Sequence, residues 1–397
     1  MSCELAIVGG GPAGIATALF LVHEAPWLAE RIVVLEKERY PRDKFCGGAV
    51  GGRSDDLLAT IGVRVDVPSV QVRGLSVRSR DGELCERLDH IGRVVRRIEY
   101  DQALARIAQS RGIRIEEDTA LTGLEVKPGE VVLQTSGATF SAKAVVGADG
   151  VGSAVRRAIG LPAGRLRAQV IELDTEPVAS DRARDVLHFD LSDPAFTGYA
   201  WDFPTLVDGK PLVCRGVYHL KLDDAKVDIR QRLEQRLAAL GLKLSDYPLK
   251  RFAERGFEPH QPYASPRVML VGEAAGIDSV TGEGIAQAIE YGALAGKYLA
   301  EKLATGELSF ADWTARLARS KVGYDLRIRH WLLPYYFGRH RAWFERHFAM
   351  RPEFVASSLA QFAGRPVSNL GMARATAAAA VSALSSGLSE LWKARSR

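Results

Sequence analysis

The stretch that decides the fold is Glu4–Thr17, ELAIVGGGPAGIAT. Its apolar part, Leu5 to Val8, is typical of a strand that is buried in a parallel sheet. The next six residues satisfy the pattern G-x-G-x-x-G, and a run with helical character follows from Ile15 to Val22. A strand, a glycine turn and a helix in this order predict a site for the phosphates of a dinucleotide.

Each residue of the turn has its own predicted role. Gly9 allows the tight turn, Gly11 lets a pyrophosphate touch the backbone, and Gly14 lets the helix pack closely on the strand. Pro12 and Ala13 stand at the start of the helix, where unpaired N–H groups and the positive end of the dipole favour a phosphate.

A second strand supports this interpretation. It runs from Arg31 to Leu35 and ends in Glu36, 22 residues after Gly14. A carboxylate at this place accepts hydrogen bonds from ribose hydroxyls and repels a 2′-phosphate. Lys37 and Arg42, which follow it closely, are further candidates for binding the cofactor.

Two later strand ends favour FAD over NAD. The sequence AVVGADG (144–150) and the sequence VMLVGEAAG (268–276) are both buried strands that break into turns of small residues. After the second, TGEGI (281–285) opens a long helix that is predicted to reach about Leu303, before Gly306. Three such junctions suit a long cofactor that lies across the carboxyl ends of one sheet. The candidate residues at the later junctions are Asp149, Gly272, Glu273, Gly282, Gly284 and Ile285.

Together, GGGPAG, RxxYD (97–101), GADG and GEAAG…GEGI resemble the FAD-binding framework of the flavoprotein monooxygenase superfamily. The resemblance implies that Arg97 lies on the cofactor side, that Glu273 holds the ribityl chain and that the final helix points at the isoalloxazine ring. The chain departs from that framework in two ways. Glu273 replaces the usual aspartate, and the segment between Gly276 and Gly282 is one residue short.

Two further motifs narrow the branch. PRDKFCGGA (41–49) and GYAWDFP (198–204) resemble the geranylgeranyl reductase family, whose members carry CGG beside the flavin and YxWxFP over the substrate. The resemblance covers roughly residues 1–305. It implies that Cys46, Gly47 and Gly48 contact the cofactor. It also implies that the catalytic residues are Cys46, Tyr199, Trp201 and Phe203.

The predicted fold class is α/β, or α+β overall: a Rossmann-like FAD-binding domain, a β-sheet substrate domain and a helical C-terminal region. The FAD-binding domain is discontinuous and takes residues 1–70, 93–160 and 260–305. The substrate domain takes 71–92 and 161–259, with a hairpin that turns at Asp81-Gly82 and another turn at Asp208-Gly209. Residues 228–241 predict an amphipathic helix.

The C-terminal region, 306–397, is predicted to be helical. Residues 327–351 combine aromatic side chains with arginines, which leaves two interpretations open. The favoured one is a helical cover that packs its aromatic residues on the substrate domain. The other is a segment that lies on a membrane surface, where Arg339 and Arg341 contact anionic lipid. The alanine-rich run 373–383 predicts a final helix.

Composition excludes several classes of protein. The net charge is +5 and no basic module is evident, so nucleic acid is not an expected partner. The four cysteines form no CxxC pair, and no histidine has the spacing of a metal ligand, so we expect neither a disulfide framework nor a metal site. The expected location is cytoplasmic, in peripheral contact with the inner face of a membrane if the tail binds lipid.

Three functions remain open. The first is an FAD-dependent reductase of C=C bonds in isoprenoid or other lipophilic substrates. The second is an FAD-dependent monooxygenase that hydroxylates or epoxidises an aromatic or prenylated metabolite, because one fold supports both reactions. The third is a helper flavoprotein without catalysis of its own. No second G-x-G-x-x-G motif is visible, so the electron donor is external: NAD(P)H, a ferredoxin or a separate reductase.

Overall fold

Two sheets organise the chain, which the computed structural model describes over residues 1–223 and 226–366. In chain order, the strands are β1 (Ser2–Val8), β2 (Ile32–Leu35), β3 (Ala49–Gly51), β4 (Ser69–Ser79), β5 (Gly82–Val95), β6 (Arg114–Glu116), β7 (Leu121–Lys127), β8 (Glu130–Thr135), β9 (Thr139–Gly147), β10 (Arg167–Thr175), β11 (Val186–Asp190), β12 (Gly198–Val207), β13 (Lys210–Lys221), β14 (Lys250–Arg255), β15 (Ala264–Ser265) and β16 (Val268–Leu270). The α-helices are α1 (Pro12–Glu24), α2 (Gly52–Ala59), α3 (Arg97–Ser110), α4 (Ala154–Ala158), α5 (Ile229–Ala239), α6 (Ile285–Thr305), α7 (Trp313–Arg319), α8 (Lys321–Tyr336), α9 (Arg341–Phe344) and α10 (Pro352–Phe362).

The first sheet is the predicted nucleotide-binding sheet. Its order is β15-β16-β9-β1-β2-β6, and β1 pairs in parallel with both β2 and β9. The hairpin β7-β8 extends it through antiparallel pairing with β9. The carboxyl ends of β1, β9 and β16 therefore lie side by side, as the three junctions in the sequence predict.

Helices α1 and α6 pack closely on each other because α6 carries glycine where they meet. A Cβ atom added at Gly292 would lie 2.5 Å from the Cβ of Ala16, and one at Gly296 would lie 2.6 Å from the backbone nitrogen of Leu21. Both distances are too short for real atoms, so these positions require glycine. The long helix begins at Ile285, as predicted, and ends at Gly306, which adopts the left-handed conformation.

The second sheet has the order β14-β10-β13-β12-β11-β4-β5-β3. Both predicted hairpins are confirmed, and Asp208 and Gly209 have positive φ angles of 51° and 75° in the turn between β12 and β13. One boundary differs from the sequence prediction. Strand β3 lies within the range 1–70 but pairs with β5, so the CGG loop leads directly into the second sheet.

Helix α10 and the end of α8 cover the second sheet, as the favoured interpretation of the tail predicts, whereas α7 packs in the core around the first sheet. Leu333, Phe337 and Leu359 are buried in one hydrophobic cluster with Trp201 and Phe203. No helix in the described part of the chain combines the length and the apolar character that crossing a bilayer requires. The predicted helix at 373–383 lies outside the described residues.

The prediction that Arg341 contacts lipid is wrong. Its side chain is buried, and its guanidinium donates to the backbone oxygen of Leu191 at 2.6 Å and to Glu345 at 2.6 Å. It also donates to the backbone oxygen of Phe196. Arg341 therefore fastens the helical cover to the loop between β11 and β12, because a buried guanidinium needs partners for its N–H groups.

Candidate active site

The glycine turn after β1 has the geometry of a phosphate cradle. Gly9 has a φ of 108°, and a Cβ atom there would lie 2.3 Å from the backbone oxygen of Ala148. A Cβ atom at Gly14 would lie 1.9 Å from the backbone oxygen of Gly9. At Gly11, in contrast, the nearest atom to an added Cβ is a guanidinium nitrogen of Arg42 at 3.9 Å. The open space at the start of α1 thus fits a pyrophosphate.

A buried chain of charges runs beside this cradle. Glu36 accepts a hydrogen bond from the N–H of Gly10 at 2.9 Å and pairs with Arg42 at 3.2 Å. Arg42 also pairs with Asp101 at 2.9 Å, and Arg97 donates two hydrogen bonds to Asp101 at 2.6 and 2.7 Å. Burial alone would lower the pKa of Arg97, but Asp101 raises it, so the guanidinium stays charged.

This chain of charges links Glu36, Arg42 and Arg97, three of the predicted cofactor-binding residues. Because a carboxylate has about four lone-pair sites, Glu36 can still accept a hydrogen bond from a ribose hydroxyl. Lys37 stands apart from them. Its side chain is 70% exposed and pairs with Glu38 at 3.1 Å, so it shares no contact with the buried chain.

Asp149 stabilises the turn that follows it in the GADG motif. Its carboxylate accepts hydrogen bonds from the hydroxyl of Ser153 at 2.5 Å and from the N–H groups of Ala154 and Val155 at 2.6 and 3.1 Å. These bonds satisfy the first N–H groups of α4, which a helix start leaves unpaired. Asp149 therefore shapes the GADG turn, and its direct contact with the cofactor stays a prediction.

Glu273 offers an unpaired oxygen at the end of β16, just after Gly272. Its Oε2 pairs with Lys44 at 2.8 Å, whereas its Oε1 is buried and has no hydrogen-bond partner among the described residues. A buried oxygen without a partner costs free energy unless a ligand satisfies it. A ribityl hydroxyl would supply the missing donor, so the residue fits its predicted role despite the extra methylene.

The CGG loop is held between the two sheets. The N–H of Cys46 donates to Glu172 at 2.9 Å, and its Sγ accepts from the N–H of Gly48 at 3.4 Å. A Cβ atom at Gly47 would lie 3.0 Å from the ring of Phe203, so this loop packs directly on the aromatic strand β12. Burial raises the pKa of the Cys46 thiol, against a lowering by Arg97, so the thiol is neutral.

Three aromatic residues on one face of β12 form a wall with the neighbouring strand. The rings of Tyr199 and Tyr218 stack with their centroids 4.9 Å apart, and the rings of Trp201 and Phe203 follow at alternate positions. The Tyr199 hydroxyl donates to the backbone oxygen of Thr281 at 2.5 Å. The wall is thereby joined to the loop that precedes α6.

A cavity of about 640 Å³ lies in front of this wall. The predicted cofactor contacts Cys46, Gly47, Gly48, Gly282, Gly284 and Ile285 line one part of it, around the start of α6. Its sides are the face of the second sheet, and α8 and α10 form its roof. Its volume falls within the range of about 300–1,000 Å³ of small-molecule sites.

One arginine of the roof holds the loop before α6. Arg329 donates to Asp278 at 2.6 Å, pairs with Glu283 at 3.2 Å and also contacts Asp325 of its own helix at 3.2 Å. Asp278 in turn accepts from the N–H groups of Val280 and Thr281 at 2.7 and 3.0 Å. The roof and the loop are therefore one hydrogen-bonded unit.

A family model described as an FAD binding domain matches residues 2–313. The chain belongs to this FAD-binding family. Its cofactor is FAD, and it is an FAD-dependent oxidoreductase. The open cradle at Gly11 and the unpaired oxygen of Glu273 fit that cofactor.

The relatives of this flavoprotein include reductases of isoprenoid lipids. It is 27% identical to the digeranylgeranylglycerophospholipid reductase of Methanosarcina mazei over an alignment of 349 positions, and the match covers 81% of this chain and 82% of that protein. It is 25% identical to the menaquinone reductase of Mycobacterium tuberculosis over an alignment of 328 positions, and the match covers 75% of this chain and 76% of that protein.

A solved structure from Thermoplasma acidophilum, of a geranylgeranyl bacteriochlorophyll reductase-like protein, has the same fold. Its TM-score is 0.66 at 19% identity, and the match covers 95% of this chain and 96% of that one. With the reductase relatives, it confirms the resemblance that CGG and YxWxFP predict from the sequence.

Several residues of the flavoprotein's site have no signal in the sequence motifs. Tyr218 and Glu254 reach the cavity only because β13 and β14 pair beside β12 and β10, and Arg329 reaches it from a helix 51 positions after Asp278. A period-two pattern at Phe252 and Glu254 is the one clue that an edge strand faces the cavity. In the described part of the chain, no cluster of three His, Cys, Asp or Glu side chains could hold a metal ion.

Proposed function

We propose that the protein reduces C=C bonds of an isoprenoid or similarly lipophilic substrate. The observation that carries this proposal is the cavity, which begins at the CGG loop and the start of α6 and continues between aromatic and aliphatic walls. Reduced FAD supplies a hydride to such a bond. The similarity to the digeranylgeranylglycerophospholipid reductase of Methanosarcina mazei and to the menaquinone reductase of Mycobacterium tuberculosis supports this substrate class.

The chain's own residues bind the cofactor and exclude water. The Gly9–Gly14 turn takes the pyrophosphate, Glu273 takes the ribityl chain, and the start of α6 favours negative charge through its dipole, by about 1–2 kcal/mol when partly buried. Tyr199, Trp201 and Phe203 orient the substrate. Their faces also stabilise positive charge on an alkene carbon that receives a proton, by roughly 0.5–2 kcal/mol each.

We expect the anaerobically reduced enzyme to be reoxidised by a geranylgeranyl lipid, with a product about two mass units heavier per bond because two hydrogens are added. Trp201→Ala should slow this step by about 10–100-fold through lost positioning and charge stabilisation, with FAD still bound. Stopped-flow absorbance of the flavin and mass spectrometry of the lipid measure both effects. Trp27→Ala is the matched control, since Trp27 is 50% exposed and does not line the cavity.

The same experiment separates the reductase from the monooxygenase. If reoxidation needs oxygen and yields a hydroxylated or epoxidised product, the reductase proposal is wrong and the monooxygenase takes its place. If no lipid reoxidises the flavin with or without oxygen, the helper role takes its place.

We also propose that the substrate enters from a lipid surface. Tyr324 and Ile328 line the cavity from α8 and are 59% and 38% exposed, and Trp331 on the next turn is 64% exposed. Three exposed apolar residues at helical spacing beside a lipophilic cavity suit an interfacial helix, and the basic side chains of Lys321, Arg327 and Arg339 suit anionic headgroups.

Sedimentation with anionic vesicles tests this entry surface. We expect binding that weakens with salt and weakens further in Trp331→Ser and Arg339→Glu, because each removes one of the two attractions. Trp27→Ser is the control, and it should bind as the wild type does. If wild type and variants all stay in the supernatant, the helices serve only as a cover.

A further inference from the structure

Glu254 is the one acidic side chain that the strands of the second sheet contribute to the cavity wall among the described residues. It lies on the edge strand β14 opposite Ala168 of β10, and Phe252 precedes it on the same face. The rest of this face is apolar or aromatic, with Val170, Tyr199 and Tyr218 as its nearest members. Burying a carboxyl group in a mostly apolar wall costs free energy, so its presence there calls for a functional explanation.

The position of the Glu254 side-chain oxygen Oε2 points to a function. The Oε2 atom of Glu254 is buried and has no hydrogen-bond partner among the described residues. It points at Gly282, where an added Cβ atom would lie 3.3 Å from it and 3.1 Å from the hydroxyl of Tyr199. Gly282 opens the loop that leads into α6, so this oxygen lies at the cofactor end of the cavity.

Burial and the charges around Glu254 favour its protonated form. Burial raises its pKa well above the ordinary value, and the carboxylates of Glu273, Asp278 and Glu172 raise it further, against the lowering by Lys44. Tyr199, Tyr218 and Cys46 face it as neutral groups, since burial raises the pKa of each. A neutral carboxyl group is a proton donor, and at the cavity wall it has a substrate to donate to.

We propose that Glu254 is the acid that delivers the proton to the alkene, an assignment that rests on the proposed reductase function. A bound and reduced FAD would supply a hydride, a hydrogen with its electron pair, to one alkene carbon and would be oxidised by two electrons. The other carbon gains the proton of the Glu254 O–H bond. Glu254 is left as a carboxylate, which regains a proton from water.

The neighbouring groups are poorer donors. The Tyr199 hydroxyl already donates to the backbone oxygen of Thr281 at 2.5 Å. Burial raises the pKa of both the Cys46 thiol and the Glu254 carboxyl group, and the thiol starts from the higher ordinary value. Cys46 thus shapes the cavity floor, and Glu254 acts on the substrate.

The test compares Glu254→Gln, Glu254→Asp and the control Glu234→Gln, which changes an exposed residue of α5. In anaerobic single turnovers with a geranylgeranyl lipid, Glu254→Gln should reoxidise its flavin at least about 100-fold more slowly, the lower range for general acid catalysis. Its FAD content should be unchanged. Glu254→Asp should recover part of the rate, and Glu234→Gln should match the wild type.

A second readout does not depend on turnover. A carboxyl group whose pKa is raised in the folded state holds its proton where the unfolded chain has lost it, so stability falls as the pH rises above about 4.3. In urea unfolding of the FAD-loaded protein at one fixed FAD concentration, the wild type and Glu234→Gln should therefore lose stability relative to Glu254→Gln as the pH rises. Glutamine cannot ionise, yet it keeps the shape of the side chain.

The outcomes separate the two proposals. A wild type that reduces the lipid, with Glu254→Gln equally fast, overturns the role of Glu254 and leaves the reductase function standing. A pH profile of stability that is identical in both proteins overturns it as well. A wild type that never reduces the lipid overturns the reductase function and, with it, this assignment.

Discussion

We expect Gly11→Val to fold normally and to retain no FAD. Gly11 has a φ of −76°, which any residue adopts, and an added Cβ atom meets nothing closer than 3.9 Å in the free protein. The valine side chain would occupy the space that a pyrophosphate needs at the start of α1. Loss of two charge-assisted hydrogen bonds, each about 1.5–3 kcal/mol, corresponds to an affinity at least about 100-fold weaker.

Absorbance of the purified protein and a titration with FAD measure this effect, and circular dichroism checks the fold. Gly137→Val is the matched control, because Gly137 lies in an exposed turn with no atom within 4 Å of an added Cβ. That variant should remain yellow. A Gly11→Val protein that binds FAD as the wild type does would show that the cofactor does not approach this backbone.

The second large effect is expected from Arg329→Met, which should lower the free energy of unfolding at neutral pH by about 3–5 kcal/mol, the usual cost of leaving a buried charge without its partner. Asp278 is buried, and burial would raise its pKa, but Arg329 and the loop N–H groups lower it. Without the guanidinium, the Asp278 carboxylate becomes costly to keep charged inside the protein.

The pH dependence of this loss follows from the same contacts. A carboxyl group with a lowered pKa stabilises the wild type above the unfolded value of about 3.9 and loses that contribution as the pH falls. In Arg329→Met the pKa of Asp278 rises. At low pH the carboxylate is therefore protonated, which removes the free-energy cost of an unpaired buried charge in the variant. The difference between the two proteins in urea unfolding should therefore be larger at pH 7 than at about pH 5.

Arg327→Met is the control for this experiment, because Arg327 is exposed on the same helix. It should change stability by less than about 0.5 kcal/mol, as surface substitutions usually do. If Arg329→Met loses no more than this control, or the same amount at both pH values, the contacts of Arg329 with Asp278 do not stabilise the loop.

The sequence predicts the parts of the site that depend on local geometry. Gly9 and Gly14 are identifiable because the tight turn admits no side chain, and the Asp208-Gly209 turn is identifiable because both residues tolerate positive φ. The aromatic wall is predicted because the YxWxFP pattern places Tyr199, Trp201 and Phe203 on one face of a strand.

The remaining parts depend on contacts between distant segments. Arg339 and Arg341 are the same residue type two positions apart in the sequence. Only the packing of the helical cover leaves Arg339 exposed and buries Arg341. Asp149 has the position of a cofactor ligand in its motif, yet its carboxylate is bound to the start of α4. Arg329 enters the site through tertiary contacts for which a single sequence carries no pattern, and the period-two pattern at Phe252 and Glu254 does not by itself say which cavity their strand faces.

The cofactor-binding residues and the helices that roof the cavity lie in different parts of the chain, which has a consequence for engineering. The match to the FAD-binding family ends at residue 313, whereas α8 and α10, which roof the cavity, come after it. We therefore expect that the roof can be exchanged between homologous proteins as one segment while the cofactor cradle stays intact. We expect such chimaeras to accept different substrates while keeping FAD. Each exchanged roof has to retain an arginine that pairs with Asp278 of this chain.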